Sequence, residues 1–157
     1  MTKLPQCEST PLIRTDFSDD ETWAKVCQAV TIPVEDAGFG MFKSMMAMVG
    51  QDVGEGLQAD VTAIDDRAFE GMMAEALLAA LPEESGQAIL LVADRQTIQS
   101  ADHPILIIDL IQSPGRSFRS IPSEIQTIEN NLSLANCDWE DFANNVDSDG
   151  IYRGIKE

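Results

Sequence analysis

Apolar positions along this chain repeat with two periods, and the switches between them lay out a succession of strands and helices. Leu12-Ile13-Arg14-Thr15-Asp16 predicts a short strand, and Ser18 with Glu21 three residues later supplies a capping box for a helix running to about Val30. Trp23, Val26, Cys27 and Val30 fall at i, i+3, i+4 and i+7, so one stripe of that helix packs on a sheet. Gln58 to Ile64 alternates polar and apolar residues as a half-buried strand does, and Asp65 or Asp66 caps a turn holding Ala68 and Phe69. A helix from about Ala74 to Leu81 stops at Pro82, and residues 83–86 turn into a continuous apolar strand, Ala88 to Ala93.

Ile105 to Ile111 is equally apolar apart from Asp109, which predicts a second strand covered on both faces. Pro114-Gly115 signals a turn into a more exposed strand from Arg116 to Ile121. Pro122 opens a helix with Ile125, Ile128, Leu132 and Ala135 on one face. Asp138 or Asn136 caps a last helix with Trp139, Phe142 and Val146 inward, which ends near Asp147-Ser148-Asp149-Gly150. The expected fold is α/β or α+β: one mixed sheet of about five strands layered with helices.

With no internal repeat or linker, residues 1–157 read as a single acidic globular domain. Residues 1–10 are expected to be loose. Residues 35–56 are expected to form a Met-rich helical insertion, with Phe39, Phe42, Met46 and Val49 on one face and Met41, Met45 and Met48 beside it. Core packing is the preferred reading of these methionines over an adaptable binding surface.

Charge then changes the picture. Twenty-seven Asp and Glu stand against ten Lys and Arg, a formal net charge of -17. Such a chain repels itself and duplex nucleic acid alike, which leaves solubility or a basic protein partner as the reason for the surplus. The acids are interspersed with apolar residues, which excludes an acidic tail. No apolar run approaches the ~20 residues of a membrane span, and a cytoplasmic location is expected. Cys7, Cys27 and Cys137 are odd in number and far apart, so neither a disulfide framework nor a zinc site is expected.

Chemistry is thinly signalled. Asp16, Asp94 and Asp109 sit at or near the carboxyl ends of predicted strands, where open α/β sheets gather ligands, and could serve a Mg²⁺-dependent or phosphate-handling enzyme. A structural polar network of Arg14, Asp16, Asp94, Asp109, Arg116, Arg119, Asn130 and Asn131 is the preferred alternative. Within it Asp109, flanked by Ile107, Ile108, Leu110 and Ile111, needs a cation, and Arg14, Arg116 and Arg119 are the candidates. Asn130 and Asn131 are poor helix formers whose amides are expected to bond neighbouring loops. Residues 147–150 resemble the start of a calcium loop but lack its closing acid, so a helix-ending turn is preferred. His103 precedes Pro104 with no nucleophile in view and reads as a turn residue. No catalytic residue, metal site or cofactor is expected. Asp65, Asp66, Glu70 and Glu75, with Asp138, Glu140, Asp141, Asp147 and Asp149, are the acids chosen as a partner face.

The segments Leu12-Ile13-Arg14-Thr15-Asp16-Phe17-Ser18-Asp19-Asp20 with Trp23, Val92-Ala93-Asp94-Arg95, and Pro114-Gly115-Arg116-Ser117-Phe118-Arg119 leading to Glu129-Asn130-Asn131-Leu132 resemble an uncharacterised bacterial domain family of unknown function. The resemblance spans residues 12–154 and brings no catalytic residues. The expected function is that of an acidic inhibitor, most concretely the immunity protein of a bacterial toxin occluding a basic cleft. An enzyme built on Asp16, Asp94 and Asp109 and a non-catalytic scaffold or regulatory domain are the alternatives.

Overall fold

The computed structural model describes residues 3–31, 44–50, 60–83, 85–135 and 137–154. Strand β1 (Thr10–Arg14) is buried at all five positions, which requires a neighbour on each side and cover on both faces. It pairs in parallel with β2 (Val61–Ile64) on one side and with β3 (Ile89–Ala93) on the other. β4 (Ile105–Asp109) runs antiparallel to β3, β5 (Ser117–Ser120) antiparallel to β4, and β6 (Ile151–Tyr152) parallel to β5. The result is one mixed sheet in the order β2-β1-β3-β4-β5-β6, an α/β fold with six strands where about five were expected. The extra strand is two residues long, too short for a periodicity to reveal. Backbone bonds from Arg119 N to Gly150 O and from Ile121 N to Tyr152 O, both 3.2 Å, fix it, and the Tyr152 ring meets Phe142 edge-on at 5.4 Å.

Helices α1 (Asp20–Thr31), α2 (Ala74–Ala79), α3 (Arg95–Gln99), α4 (Ile125–Ser133) and α5 (Trp139–Ala143) flank the strands. The alternating side chains of the central strands feed two cores. On one face Leu12, Leu91, Ile107 and Phe118 pack with Trp23, Val26 and Val30 of α1, Ile125 and Ile128 of α4 and Trp139 and Phe142 of α5. On the other Ile13, Leu90, Val92 and Ile108 pack with Leu77 of α2, Phe69 of the 3₁₀ turn Arg67–Phe69, and Leu4. Leu4 is buried and its N–H donates to Ala80 O at 2.8 Å, so the segment before β1 is docked where a loose start was expected.

Local chemistry explains the other departures. α1 is capped by Asp19, whose carboxylate accepts the N–H of Thr22 at 3.1 Å and its hydroxyl at 2.7 Å, while Ser18 turns back to Asp16; the expected Ser18/Glu21 box does not form. α3 is five residues long, with only Thr97 and Ile98 buried, and escapes any periodic reading. Pro122–Glu124 is a 3₁₀ turn before α4, and Ala135, expected inward, is exposed at φ +57° because the helix has already ended. Within the expected Met-rich helix residues 44–48 are helical, but Met45, Met48 and Val49 are exposed, against core packing; Phe39, Met41 and Phe42 lie outside the described residues.

The connection through α1 covers one face of the sheet and the connection through α2 covers the other. Strand order therefore reverses between β1 and β3, opening a crevice at their carboxyl ends.

Candidate functional site

Because β1, β2 and β3 run the same way, the residues that follow them, Asp16, Asp65 and Asp94, emerge at one end of the sheet. β4 runs the other way, so its own carboxyl end carries Asp109 to the far end, roughly 16 Å away along a strand of that length. The three carboxylates expected to gather, Asp16, Asp94 and Asp109, are thereby separated. Strand direction, which the expectation left open, is the reason. Among the described residues no group of three His, Cys, Asp or Glu side chains could hold a metal ion.

At the crevice end Asp94 is half-buried and caps α3 by accepting the Thr97 N–H at 3.2 Å. Both its oxygens also take Arg119, Oδ1 from Nη1 at 3.0 Å and Oδ2 from Nη2 at 2.7 Å, while Nη1 reaches Pro104 O at 3.1 Å. Burial alone would raise the Asp94 pKa, but the fork from Arg119 and the bonds from Thr97 outweigh it and hold the carboxyl below its ordinary range. Arg119, not the adjacent Arg95, is the partner. Beside this pair lies a cleft of about 430 Å³ lined by Asp16, Met72, Met73, Val92, Arg95 and Leu106 among others.

One strand over, at the same end, Arg14 is the buried charge. Its side chain is 3% exposed, and it donates from Nη2 to Asp20 at 2.6 Å, from Nη1 to Asp65 at 3.2 Å and from Nε to Asp16 O at 3.0 Å. Its guanidinium lies 4.3 Å from the centre of the Phe17 ring, and Arg67, paired with Glu70, lies 5.0 Å from that same ring. Sequence reasoning chose Asp65 and Glu70 here but missed Phe17, Asp20 and Arg67, whose adjacency only the parallel β1–β2 pairing creates. Cys27 is also near, and burial followed by the charge of Asp65 raises its thiol to about 11.

The far end reverses this arrangement. Asp109 is buried and accepts the N–H groups of Ile111 and Ser113, each at 3.0 Å, and Arg116 Nε at 2.8 Å, which makes Arg116 the cation its setting demanded. Burial pushes its pKa up, and these three donors more than reverse the shift. Arg116 goes on to Glu140 at 2.9 Å and sits over the Trp139 ring at 5.1 Å. The turn that brings Arg116 back needs Gly115 at φ +102°, where a side chain would be strained.

The nine acids chosen as a partner face fall into groups at opposite edges of the sheet. Asp65, Asp66, Glu70 and Glu75 follow edge strand β2, and Asp66 caps the 3₁₀ turn by accepting from Ala68 N at 2.9 Å. Asp147 and Asp149 precede edge strand β6, and both bond Arg153, which also reaches Asp102 at 2.9 Å. Asp138 and Asp141 share the first turn of α5 with Glu140, and Asp141 accepts the Asp138 N–H at 2.7 Å. Five strand spacings, roughly 24 Å, separate the two edges. Asn131 donates to Thr127 O at 2.8 Å, a bond inside its own helix where a loop partner was expected. His103 sits in a turn at φ +48° with Nδ1 3.0 Å from Thr97 O.

Residues 9–155 match a family model described as Domain of unknown function (DUF6924). No curated protein matches the chain.

Proposed function

Since the chain belongs to the DUF6924 family, whose description names no activity, we propose a function from its charge and geometry: an acidic protein-binding domain that captures and occludes a basic macromolecule. One observation carries this reading. Five of the six arginines among the described residues, Arg14, Arg67, Arg116, Arg119 and Arg153, are already paired with carboxylates of the chain. The exposed acids Asp66, Glu75, Asp138 and Asp141 form no ion pair among the described residues, so these members of a chain with net charge -17 face water uncompensated.

Such a field steers cationic surfaces into contact and raises association rates by about 10 to 10³, which suits an inhibitor that must reach its target early. The concrete form of this reading is an immunity protein that blocks the basic active-site cleft of a toxin. The acids following β2, together with Asp20, form the better contact group, because Arg14 and Arg67 hold Asp20, Asp65 and Glu70 around one aromatic ring. No helix among the described residues is long and apolar enough to cross a membrane.

The test is a pull-down with this chain from its native cell, with retention of the captured basic protein measured against salt. Retention should fall steeply between about 0.1 M and about 1 M salt, as the screening length shrinks from roughly 10 Å to roughly 3 Å. Replacing Asp66, Glu70 and Glu75 with lysine should abolish capture. Salt-independent capture that survives the triple replacement would refute the reading.

A further inference from the structure

Arg95 is the described arginine left without a carboxylate. Its Nε donates to Gln99 Oε1 at 3.3 Å, and no ion pair engages it among the described residues. A carboxylate is nevertheless close in the fold. Arg14 and Ala93 are register partners, and a bond from Thr15 N to Ala93 O at 3.0 Å carries the pairing one step further. Asp16 and Arg95 thus each stand two residues past the same rung of adjacent strands, on either side of the point where strand order reverses. Asp16 Oδ1 accepts the Ser18 N–H at 2.9 Å, and no hydrogen bond is made to its Oδ2 among the described residues.

In a chain with 27 acids and ten bases, Arg95 is the one arginine among the described residues that forms no ion pair, although Asp16 lines the same cleft. The cleft that both residues line holds about 430 Å³, within the usual range of about 300 to 1,000 Å³ for small-ligand clefts. Val92 and Leu106 from the sheet, with Met72 and the largely exposed Met73 from the turn before α2, give it an apolar wall, and Thr15 with the mutually paired Asp94 and Arg119 lines the rest.

We propose that this cleft binds a small zwitterion, an α-amino acid with an apolar side chain. Its ammonium group meets Asp16 Oδ2, its carboxylate meets Arg95, and its side chain lies on the two methionines and Leu106. The field of the chain decides between zwitterion and ion. A free anion is repelled by a net charge of -17 before Arg95 can hold it, and a free cation is drawn to carboxylates all over the surface while Arg95 opposes it here. A neutral molecule carrying both charges side by side escapes the long-range repulsion and satisfies both groups at once. Methionine walls suit such a ligand, because their unbranched, polarizable chains adapt to apolar side chains of different shape.

The experiment is calorimetric titration of the full chain with L-leucine, with isoamylamine, which lacks the carboxylate, and with 4-methylpentanoate, which lacks the amine. Leucine should bind with a dissociation constant of about 1 mM or tighter, and each single-headed analogue at least about tenfold more weakly. Arg95→Gln and Asp16→Asn should each weaken leucine by a similar factor with unchanged thermal midpoints, since Arg95 is exposed and asparagine retains the acceptor for Ser18. If Asp16→Asn fails to fold, Arg95→Gln decides alone. Absence of saturable leucine binding, or binding of either analogue as tight as leucine's, would overturn the proposal. The proposal is independent of the basic-partner reading: loss of leucine binding in Arg95→Gln leaves salt-dependent capture untouched.

Discussion

The two ends of the sheet solve the same electrostatic problem with opposite signs. At the far end the acid is inside, with the Asp109 side chain 6% exposed and its partner Arg116 29% exposed. At the crevice end the base is inside, with Arg14 3% exposed while its partners Asp20 and Asp65 are 83% and 51% exposed. Burial raises the cost of losing a partner, so each cluster is fragile at its buried member's contacts and tolerant at its rim. Asp109 is held by two backbone N–H groups as well as a cation, whereas Arg14 has one backbone acceptor, Asp16 O, beside two replaceable carboxylates and stacking against Phe17.

The sharpest way to break this comparison is Asp109→Ala, which strands the N–H groups of Ile111 and Ser113 and leaves Arg116 with Glu140 as its one carboxylate, beside the Gln112 amide. A loss of about 3 to 5 kcal/mol is expected in urea unfolding, and a loss under about 1 kcal/mol would show that the loop does not depend on Asp109. Next in size is the pair Asp20→Asn and Asp65→Asn. Each alone should cost about 1 kcal/mol or less, because the partner that remains still neutralises Arg14. Together they leave a buried guanidinium unpaired, and a double-mutant cycle should show a coupling of about 1 to 3 kcal/mol; simple additivity would mean that water reaches Arg14 freely.

pH sharpens the comparison further. The native pKa values of Asp94 and Asp109 are depressed, so the stability they confer is complete above the ordinary aspartate value of about 3.9 and is lost as pH falls through the lower native values. Asp109→Asn should flatten the acid limb of an unfolding curve, and an unchanged limb would contradict the assignment. The smallest effect belongs to Cys27, beside the Arg14 cluster. Its raised thiol contributes stability that is fully present below about 8.5 and lost as pH rises toward about 11, so Cys27→Ala should remove part of the alkaline loss.

Much of this was legible from residue order. The apolar run of β3 and the stripe of Trp23, Val26 and Val30 fixed their own burial, because periodicity and a two-faced core are local properties. The need of Asp109 for a cation was equally plain, since four apolar neighbours leave a carboxylate no other solvent. Which arginine answered was not: Arg14, Arg116 and Arg119 each found a different acid, and only the β4–β5 hairpin put Arg116 within reach. The crevice was harder still, for Arg95 and the methionines at 72 and 73 carry no signal until their neighbours are known.

Residue order alone determined five of the six strands, most of the helices, the net charge and the demand of Asp109 for a counterion, since all of these depend on composition and spacing along the chain. The tertiary structure decided strand direction, and with it everything that lies between strands. Antiparallel β4 sent Asp109 away from Asp16 and Asp94, and the reversal of order between β1 and β3 set Asp16 beside Arg95. Direction and order are settled by how whole elements bury their faces against one another, a balance that no local window of sequence contains.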